Sequence, residues 1–174
     1  MKILTLIPAR GGSKGVPRKN VRLVNGLPLI EWTIKAALGS KFVIEAFVTT
    51  DDDEIASVSR AAGATIINRP SDIAGDKTPM SEVIAHALSY CEDKNNCTYD
   101  YILLLQPTAP MRLSGDIDNA IDEISSSQAD SVMSVYEVDD AHPARMYTLE
   151  NGTLTPFSSE PEGSLRQDLP VVYH

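Results

Sequence analysis

The sequence predicts an α/β fold of three layers, in which helices cover both faces of a mostly parallel sheet. Short apolar runs alternate along the chain with longer segments whose apolar residues recur at the helical period. Alternating units of this length place consecutive strands parallel, with the helices packed on the sheet. The composition fits such a domain, because 43% of the 174 residues are hydrophobic and 22% are charged.

The first half of the chain predicts two strand–helix units. Residues 3–7 form a continuous apolar run ended by Pro8, which is typical of a strand buried on both faces. A helix is predicted over residues 27–38, because its apolar residues share one helical face. A second strand over residues 43–50 leads into a second helix over residues 51–62, whose acidic first turn suits the helix dipole.

The pattern continues through the second half of the domain. Residues 64–68 predict a short third strand, and a loop rich in Pro, Ser, Asp and Gly separates it from a helix over residues 79–91. Residues 101–105 form another doubly buried strand. A helix over residues 114–124 follows, capped by a serine, and residues 131–138 predict a fifth strand.

Past residue 140 the pattern breaks. We predict a nucleotide-binding α/β domain over residues 1–140 and an appended dimerisation and sugar-binding arm over residues 141–170. Within the arm, Asn-Gly between two short apolar runs favours a hairpin. Residues 171–174 start a returning core strand that has no closing helix, so we expect a chain that is incomplete at its C-terminus.

Charge is unevenly distributed along the chain. The net charge is −9, yet the first thirty residues contain six bases and no acid. A net acidic chain is a poor binder of nucleic acid, whereas a local basic patch suits a small anion. The apolar runs are too short to span a membrane and no signal peptide is evident, so we expect a cytoplasmic protein. Two cysteines, Cys91 and Cys97, do not make a disulfide framework or a zinc site.

The loop after the first strand combines glycines with cations over residues 8–20, Pro-Ala-Arg-Gly-Gly-Ser-Lys-Gly-Val-Pro-Arg-Lys-Asn. Glycines let backbone amides approach an anion closely, and lysine or arginine neutralises its charge. Since parallel sheets bind ligands at the carboxyl ends of their strands, this loop predicts phosphate binding. It is neither a Walker A loop nor a G-x-G-x-x-G turn. A solvated basic loop is the alternative.

The segment from Ile7 to Asn20 resembles the first motif of the acylneuraminate cytidylyltransferases, the CMP-sialic acid synthetases and their relatives for legionaminic and pseudaminic acids. Enzymes for 3-deoxy-manno-octulosonate carry a related loop that lacks the Lys-Asn ending seen here. Further matches occur in the family's order: Thr49-Thr50-Asp51, Arg69-Pro70 with Asp76, Leu105-Gln106-Pro107-Thr108-Ala109-Pro110-Met111-Arg112, and Arg166-Gln167-Asp168-Leu169-Pro170.

The resemblance implies a Rossmann-like nucleotidyltransferase that transfers CMP from CTP to the anomeric hydroxyl of a nonulosonic acid and releases pyrophosphate. It assigns Arg10 and Lys19 to the triphosphate as the catalytic pair. The implied nucleotide-binding residues are Ala9, Arg10, Gly11, Ser13, Lys14, Asn20, Arg69 and Asp76. In-line displacement needs mainly positioning and charge neutralisation, which this loop can supply. Without the resemblance, a surface salt bridge explains Arg69 equally well.

The sugar-binding residues implied by the resemblance are Gln106, Arg145 and Arg166. An amide at a strand end can donate to and accept from a sugar, although a capped strand end also explains Gln106. Arginine suits bidentate recognition of a carboxylate, and either arginine could equally be a rim charge. Arg112 is expected to brace the loop after the fourth strand of the sheet. The family often completes this site from a second subunit, so we expect a homodimer.

The resemblance places the metal-binding carboxylates beyond His174, so the metal ligands of this chain stay unknown. Mg²⁺ is expected as cofactor, because it neutralises a triphosphate and is held largely by phosphate oxygens. The four acids of residues 51–54 are predicted to cap a helix instead of binding metal. Two alternatives stay open: a CTP-binding fragment without turnover, and a nucleotidyltransferase for another sugar acid such as 3-deoxy-manno-octulosonate.

Overall fold

A computed structural model describes residues 1–13, 15–127, 129–137, 143, 146–150, 152–157 and 171–173. The chain divides into two compact units, Met1–Ala129 and Asp130–His174. The strands are β1 (Ile3–Pro8), β2 (Leu23–Val24), β3 (Leu27–Pro28), β4 (Ala46–Thr50), β5 (Thr65–Asn68), β6 (Tyr101–Leu104), β7 (Tyr147–Glu150) and β8 (Thr153–Pro156). The α-helices are α1 (Leu29–Leu38), α2 (Asp53–Ala61), α3 (Met80–Asn95) and α4 (Ser114–Ser127).

The first unit is built on a four-stranded parallel sheet in the order β5-β4-β1-β6. Because side chains alternate along a strand, β1 contributes to two separate cores. Leu4 and Leu6 pack on one face with Ala87 and Cys91 of α3. Ile7 packs on the other face with residues of α1, α2 and α4. The predicted α/β fold with a parallel sheet between helical layers is confirmed.

Several predicted boundaries differ from the structure, and strand pairing explains two of them. The first helix begins at Leu29, because Leu27–Pro28 pairs antiparallel with Leu23–Val24. Asn25 and Gly26 between these strands have φ angles of 49° and 82°, the left-handed values that a tight two-residue hairpin needs. The strand predicted from residue 43 begins at Ala46, since residues 43–45 pair with no neighbouring strand.

The second unit contains an antiparallel hairpin of β7 and β8, which confirms the predicted hairpin. The predicted strand over residues 131–138 is wrong for the part that the structure describes. Residues 131–136 form no strand, and Glu137 makes only an isolated antiparallel bridge with Tyr173. Apolar alternation there indicated β propensity, but a strand also needs a partner, and Met133 and Tyr136 are exposed. No α-helix within the described part of the chain is long and apolar enough to cross a membrane.

Candidate functional site

A cleft of about 450 Å³ lies at the carboxyl ends of β1, β5 and β6, within the first unit. Parallel strands bring the loops that follow them to one edge, so residues distant in sequence meet there. Six predicted site residues line this cleft: Arg10, Ser13, Lys19, Asn20, Arg69 and Gln106. They come from three loops, which places predicted phosphate and base residues in one cavity with Gln106, one of the three predicted sugar residues.

The backbone of the first loop is fixed to the end of β4 at two amides. The Ala9 amide donates to the carbonyl oxygen of Thr49 at 3.0 Å, and the Gly11 amide donates to Asp51 Oδ1 at 3.0 Å. The Ala9 side chain lies in the core. Neither Ala9 nor Gly11 lines the cleft. These two residues therefore hold the loop in place through contacts within the protein.

Lys19 and Asn20 enter the cleft on a short 3-10 helix, Lys19–Val21, that follows the loop. Asn20 is buried, and its Nδ2 donates to the carbonyl oxygen of Arg10 at 3.1 Å. This bond ties the end of the loop back to its beginning. The remaining polar capacity of the Asn20 amide is available to a ligand in the cleft.

Arg69 follows β5 and is 8% exposed. Its Nη2 donates to the carbonyl oxygen of Thr49 at 2.8 Å, and its Nε lies 3.4 Å from Thr49 Oγ1. Burial lowers the pKa of Arg69, and the nearby positive charge of Arg10 lowers it further, while the Asp51 carboxylate opposes both effects. Within the described part of the chain Arg69 forms no ion pair. A fixed, desolvated cation without a paired carboxylate is suited to binding a ligand.

Arg10 forms an ion pair with Asp76, which comes from the loop between β5 and α3. Both side chains are about one-third exposed, at 33% and 34%. Asp76 itself does not line the cleft. The structure thus places Asp76 against Arg10, a residue predicted to bind the triphosphate.

Gln106 lies just past β6 with an exposed side chain, on the loop that also brings Pro107 and Thr108 to the cleft. Arg112 Nη2 lies 3.5 Å from the carbonyl oxygen of Gln106, a long contact that fits the predicted bracing role. Burial lowers the pKa of Arg112. Of the other predicted residues, Lys14, Arg145 and Arg166 lie outside the described residues.

Of the acids after β4, Asp52 caps α2, and Asp53 and Glu54 lie in its first turn. Asp52 Oδ1 accepts from the Ile55 amide at 2.9 Å, and the Asp52 carboxylate pairs with Arg18. Hydrogen bonds from Arg18 hold the pKa of Asp52 below its usual range. Among the residues that the structure describes, no group of three or more His, Cys, Asp or Glu side chains could hold a metal ion.

Six residues that line the cleft were not among the predicted site residues: Pro8, Gly15, Val16, Met80, Pro107 and Thr108. Pro107 and Thr108 directly follow Gln106, so their position after a buried strand was a usable signal. Met80 opens α3, and no local pattern distinguishes it from other exposed helix residues. Its place in the cleft follows from how α3 packs on the sheet, which the sequence alone does not reveal.

Residues 4–158 match the Cytidylyltransferase family. The N-acylneuraminate cytidylyltransferase of Escherichia coli is 41% identical over 69% of this chain, which covers only 27% of that protein. The pseudaminic acid cytidylyltransferase of Campylobacter jejuni is 31% identical over 100% of this chain and 75% of its own length. A solved structure of CMP:2-keto-3-deoxy-manno-octonic acid synthetase complexed with CTP shares the fold, with a TM-score of 0.62 and 24% identity over 83% of this chain and 56% of that one.

Proposed function

The chain belongs to the cytidylyltransferase family, and from this premise we propose that it transfers CMP from CTP to the anomeric hydroxyl of a nonulosonic, sialic-type acid with release of pyrophosphate. The proposal is supported chiefly by the cleft, which brings the predicted phosphate residues Arg10 and Lys19, the predicted base residues Asn20 and Arg69, and the predicted sugar residue Gln106 together. The relatives named for N-acylneuraminate and pseudaminic acid support this class of acceptor.

In the proposed reaction the anomeric oxygen attacks the α-phosphorus of CTP. A new oxygen–phosphorus bond forms, the bond to the β-phosphate bridging oxygen breaks, and pyrophosphate leaves with its electron pair while the hydroxyl loses its proton. Arg10 and Lys19 neutralise the charge that develops on the phosphates, which is the main work of a protein in phosphoryl chemistry. The described residues that line the cleft include no carboxylate or histidine, so we assign no general base.

Base recognition is assigned to Arg69 and Asn20. The Nη2 and Nε atoms of Arg69 donate to the carbonyl oxygen and the hydroxyl oxygen of Thr49. These contacts fix the guanidinium plane and leave Nη1 for a ligand. A planar donor held in this way suits a carbonyl oxygen of the cytosine ring. Asn20 is also fixed, through its bond to Arg10, so both groups meet the nucleotide already oriented.

The acceptor sugar is proposed to bind beside Gln106, whose exposed amide can both donate and accept. Arg145 and Arg166 are proposed to bind its carboxylate, because arginine pairs with carboxylates in a bidentate manner. The described residues supply no cluster of metal ligands, so Mg²⁺ is proposed to arrive with CTP, held mainly by phosphate oxygens. A homodimer and a cytoplasmic location stay part of the proposal.

Pyrophosphate release from CTP tests this function. The acceptor panel is N-acetylneuraminic, legionaminic and pseudaminic acids and 3-deoxy-manno-octulosonate. We expect release with a nonulosonic acid, and Lys19→Ala should lower kcat/KM at least tenfold because it removes a phosphate-neutralising charge. Lys35→Ala, on the exposed face of α1, is the matched control and should leave turnover unchanged.

Three results would overturn the proposal or its parts. Tight CTP binding without release for any acceptor would leave a binding protein without turnover. Pyrophosphate release with 3-deoxy-manno-octulosonate alone would show that the acceptor is an octulosonic acid and not a nonulosonic acid. Full activity in Lys19→Ala, with an unaltered unfolding midpoint, would show that Lys19 does not neutralise the phosphates of CTP.

A further inference from the structure

Arg18 belongs to the cationic first loop, yet its side chain does not line the cleft. Instead, its two Nη atoms contact both carboxylate oxygens of Asp52, and Nη2 also contacts Glu54. We call these three side chains the Arg18 clasp. Since Asp52 and Glu54 lie at the start of α2, the clasp joins the end of the first loop to the second strand–helix unit.

The backbone of Arg18 has a conformation that needs external support. Its φ is 55° and its ψ is 31°, in the left-handed region that residues with a β-carbon disfavour. Such conformations persist where the surroundings hold them in place. Arg18 also caps the short helix Lys19–Val21, and its carbonyl oxygen accepts from the Val21 amide at 3.2 Å. The direction in which Lys19 and Asn20 point therefore depends on the conformation of Arg18.

Asp52 also contacts the start of the same loop. A β-carbon placed on Gly11 would lie 2.7 Å from Asp52 Oδ2, so Gly11 packs directly against this carboxylate. The side chain of Asp52 is 18% exposed, and the hydrogen bonds to Arg18 hold its pKa below the usual range. One carboxylate thus braces the loop both near its beginning and at its end.

We propose that Arg18 and Asp52 are positioning residues, which hold the first loop so that Lys19 and Asn20 project into the cleft. The proposal deepens the proposed function and rests on it for its effect on turnover. An isolated surface ion pair contributes little. Here the pair is bidentate, includes a second carboxylate, and holds a left-handed residue immediately before two cleft residues.

The first test compares Arg18→Met, Arg18→Lys and Asp52→Asn with the wild type. Asn is a good helix cap, so Asp52→Asn removes the ion pair while keeping the acceptor for the Ile55 amide. We expect kcat/KM for CTP to fall about 10- to 100-fold in Arg18→Met and Asp52→Asn, because a small displacement of a catalytic group lowers the rate by a factor of this size. Arg18→Lys should recover part of the loss, and the unfolding midpoints should change little.

A double-mutant cycle then tests whether the two residues act together. The double variant Arg18→Met with Asp52→Asn should be no less active than either single variant, because both remove the same contact. Additive losses would overturn the clasp as a unit. The surface pair Lys35 and Glu31 provides the control, since Lys35→Met and Glu31→Gln should leave kcat/KM unchanged.

A measurement without ligand keeps this inference separate from the proposed function. In ¹H–¹⁵N spectra we expect Arg18→Met and Asp52→Asn to shift the amide signals of Lys19 and Asn20, because the short helix would change its orientation. Unchanged signals would overturn the positioning role even in a protein without turnover. If the signals shift but the wild type transfers no CMP, the proposed function fails and the clasp stands.

Discussion

Replacing Arg69 by methionine should strongly weaken the binding of CTP while leaving the fold intact. Arg69 is 8% exposed and forms no ion pair within the described residues, so the folded protein buries its charge with only Thr49 as hydrogen-bond partner. The Thr49 carbonyl keeps its bond from the Ala9 amide at 3.0 Å after the substitution. Since the lost hydrogen bonds are offset by relief from burying a charge, the free energy of unfolding should change by no more than about 1.5 kcal/mol.

The loss of CTP affinity is set by one charge-assisted hydrogen bond to the base. Such a bond contributes about 1.5–3 kcal/mol. Because about 1.4 kcal/mol corresponds to a tenfold change in affinity, the dissociation constant should rise roughly 10- to 150-fold. Methionine retains much of the arginine's length and apolar stem, so the walls of the cleft are preserved.

Isothermal titration calorimetry with CTP and with inorganic tripolyphosphate distinguishes base recognition from phosphate binding. Arg69→Met should lower the affinity for CTP but not for tripolyphosphate, because Arg69 is assigned to the base. Lys19→Ala should lower the affinity for both ligands. Arg60→Met, which removes an exposed arginine of α2, is the control and should bind CTP as the wild type does. An Arg69→Met protein with normal unfolding and unchanged CTP affinity would refute the base-binding role.

Three further predictions concern the core and the clasp. Burial raises the pKa of Cys91 to about 12, so a maleimide at neutral pH should label Cys97 in the folded protein and Cys91 only after denaturation; rapid native labelling of both would contradict this packing. Ile34→Ala should lower the free energy of unfolding in urea by about 2–5 kcal/mol, because Ile34 is fully buried, and a loss below about 1 kcal/mol would contradict the core assignment. The lowered pKa of Asp52 means that its contribution to stability is present above the usual aspartate value of about 3.9 and is lost as the pH falls through the folded pKa. As the pH is lowered from neutral to acid, the free energy of unfolding should therefore fall more steeply for the wild type than for Asp52→Asn. Parallel profiles of unfolding free energy against pH would contradict the ion pair.

The sheet was predictable because its strands are short apolar runs, although β6 is only partly buried and not buried on both faces as predicted. Residues 3–7 and 101–105 are continuous apolar runs, and such runs need neighbours on both sides. The two-residue strands β2 and β3 were missed because they are too short to show a period, although Asn25-Gly26 carried a turn signal. The strand predicted after residue 130 failed because pairing depends on a partner strand, which propensity does not specify.

The location of the site was predictable, but the pairing of its charges was not. Glycines and cations after a buried strand indicated a phosphate loop, and the cleft lies there. The sequence did not show that Arg18 pairs with Asp52 or that Arg10 pairs with Asp76. These partners are 34 and 66 residues apart, so only the folded sheet decides which cations face the cleft.

Following the labelled phosphates of CTP into the products shows directly whether the protein transfers CMP. The protein is incubated with N-acetylneuraminic, legionaminic or pseudaminic acid and with CTP labelled at either the α- or the γ-phosphate. Transfer of CMP predicts that the α label appears in a sugar-acid product and the γ label in pyrophosphate. Recovery of the α label in free CMP alone, or of both labels in unreacted CTP for every acceptor, would contradict the account.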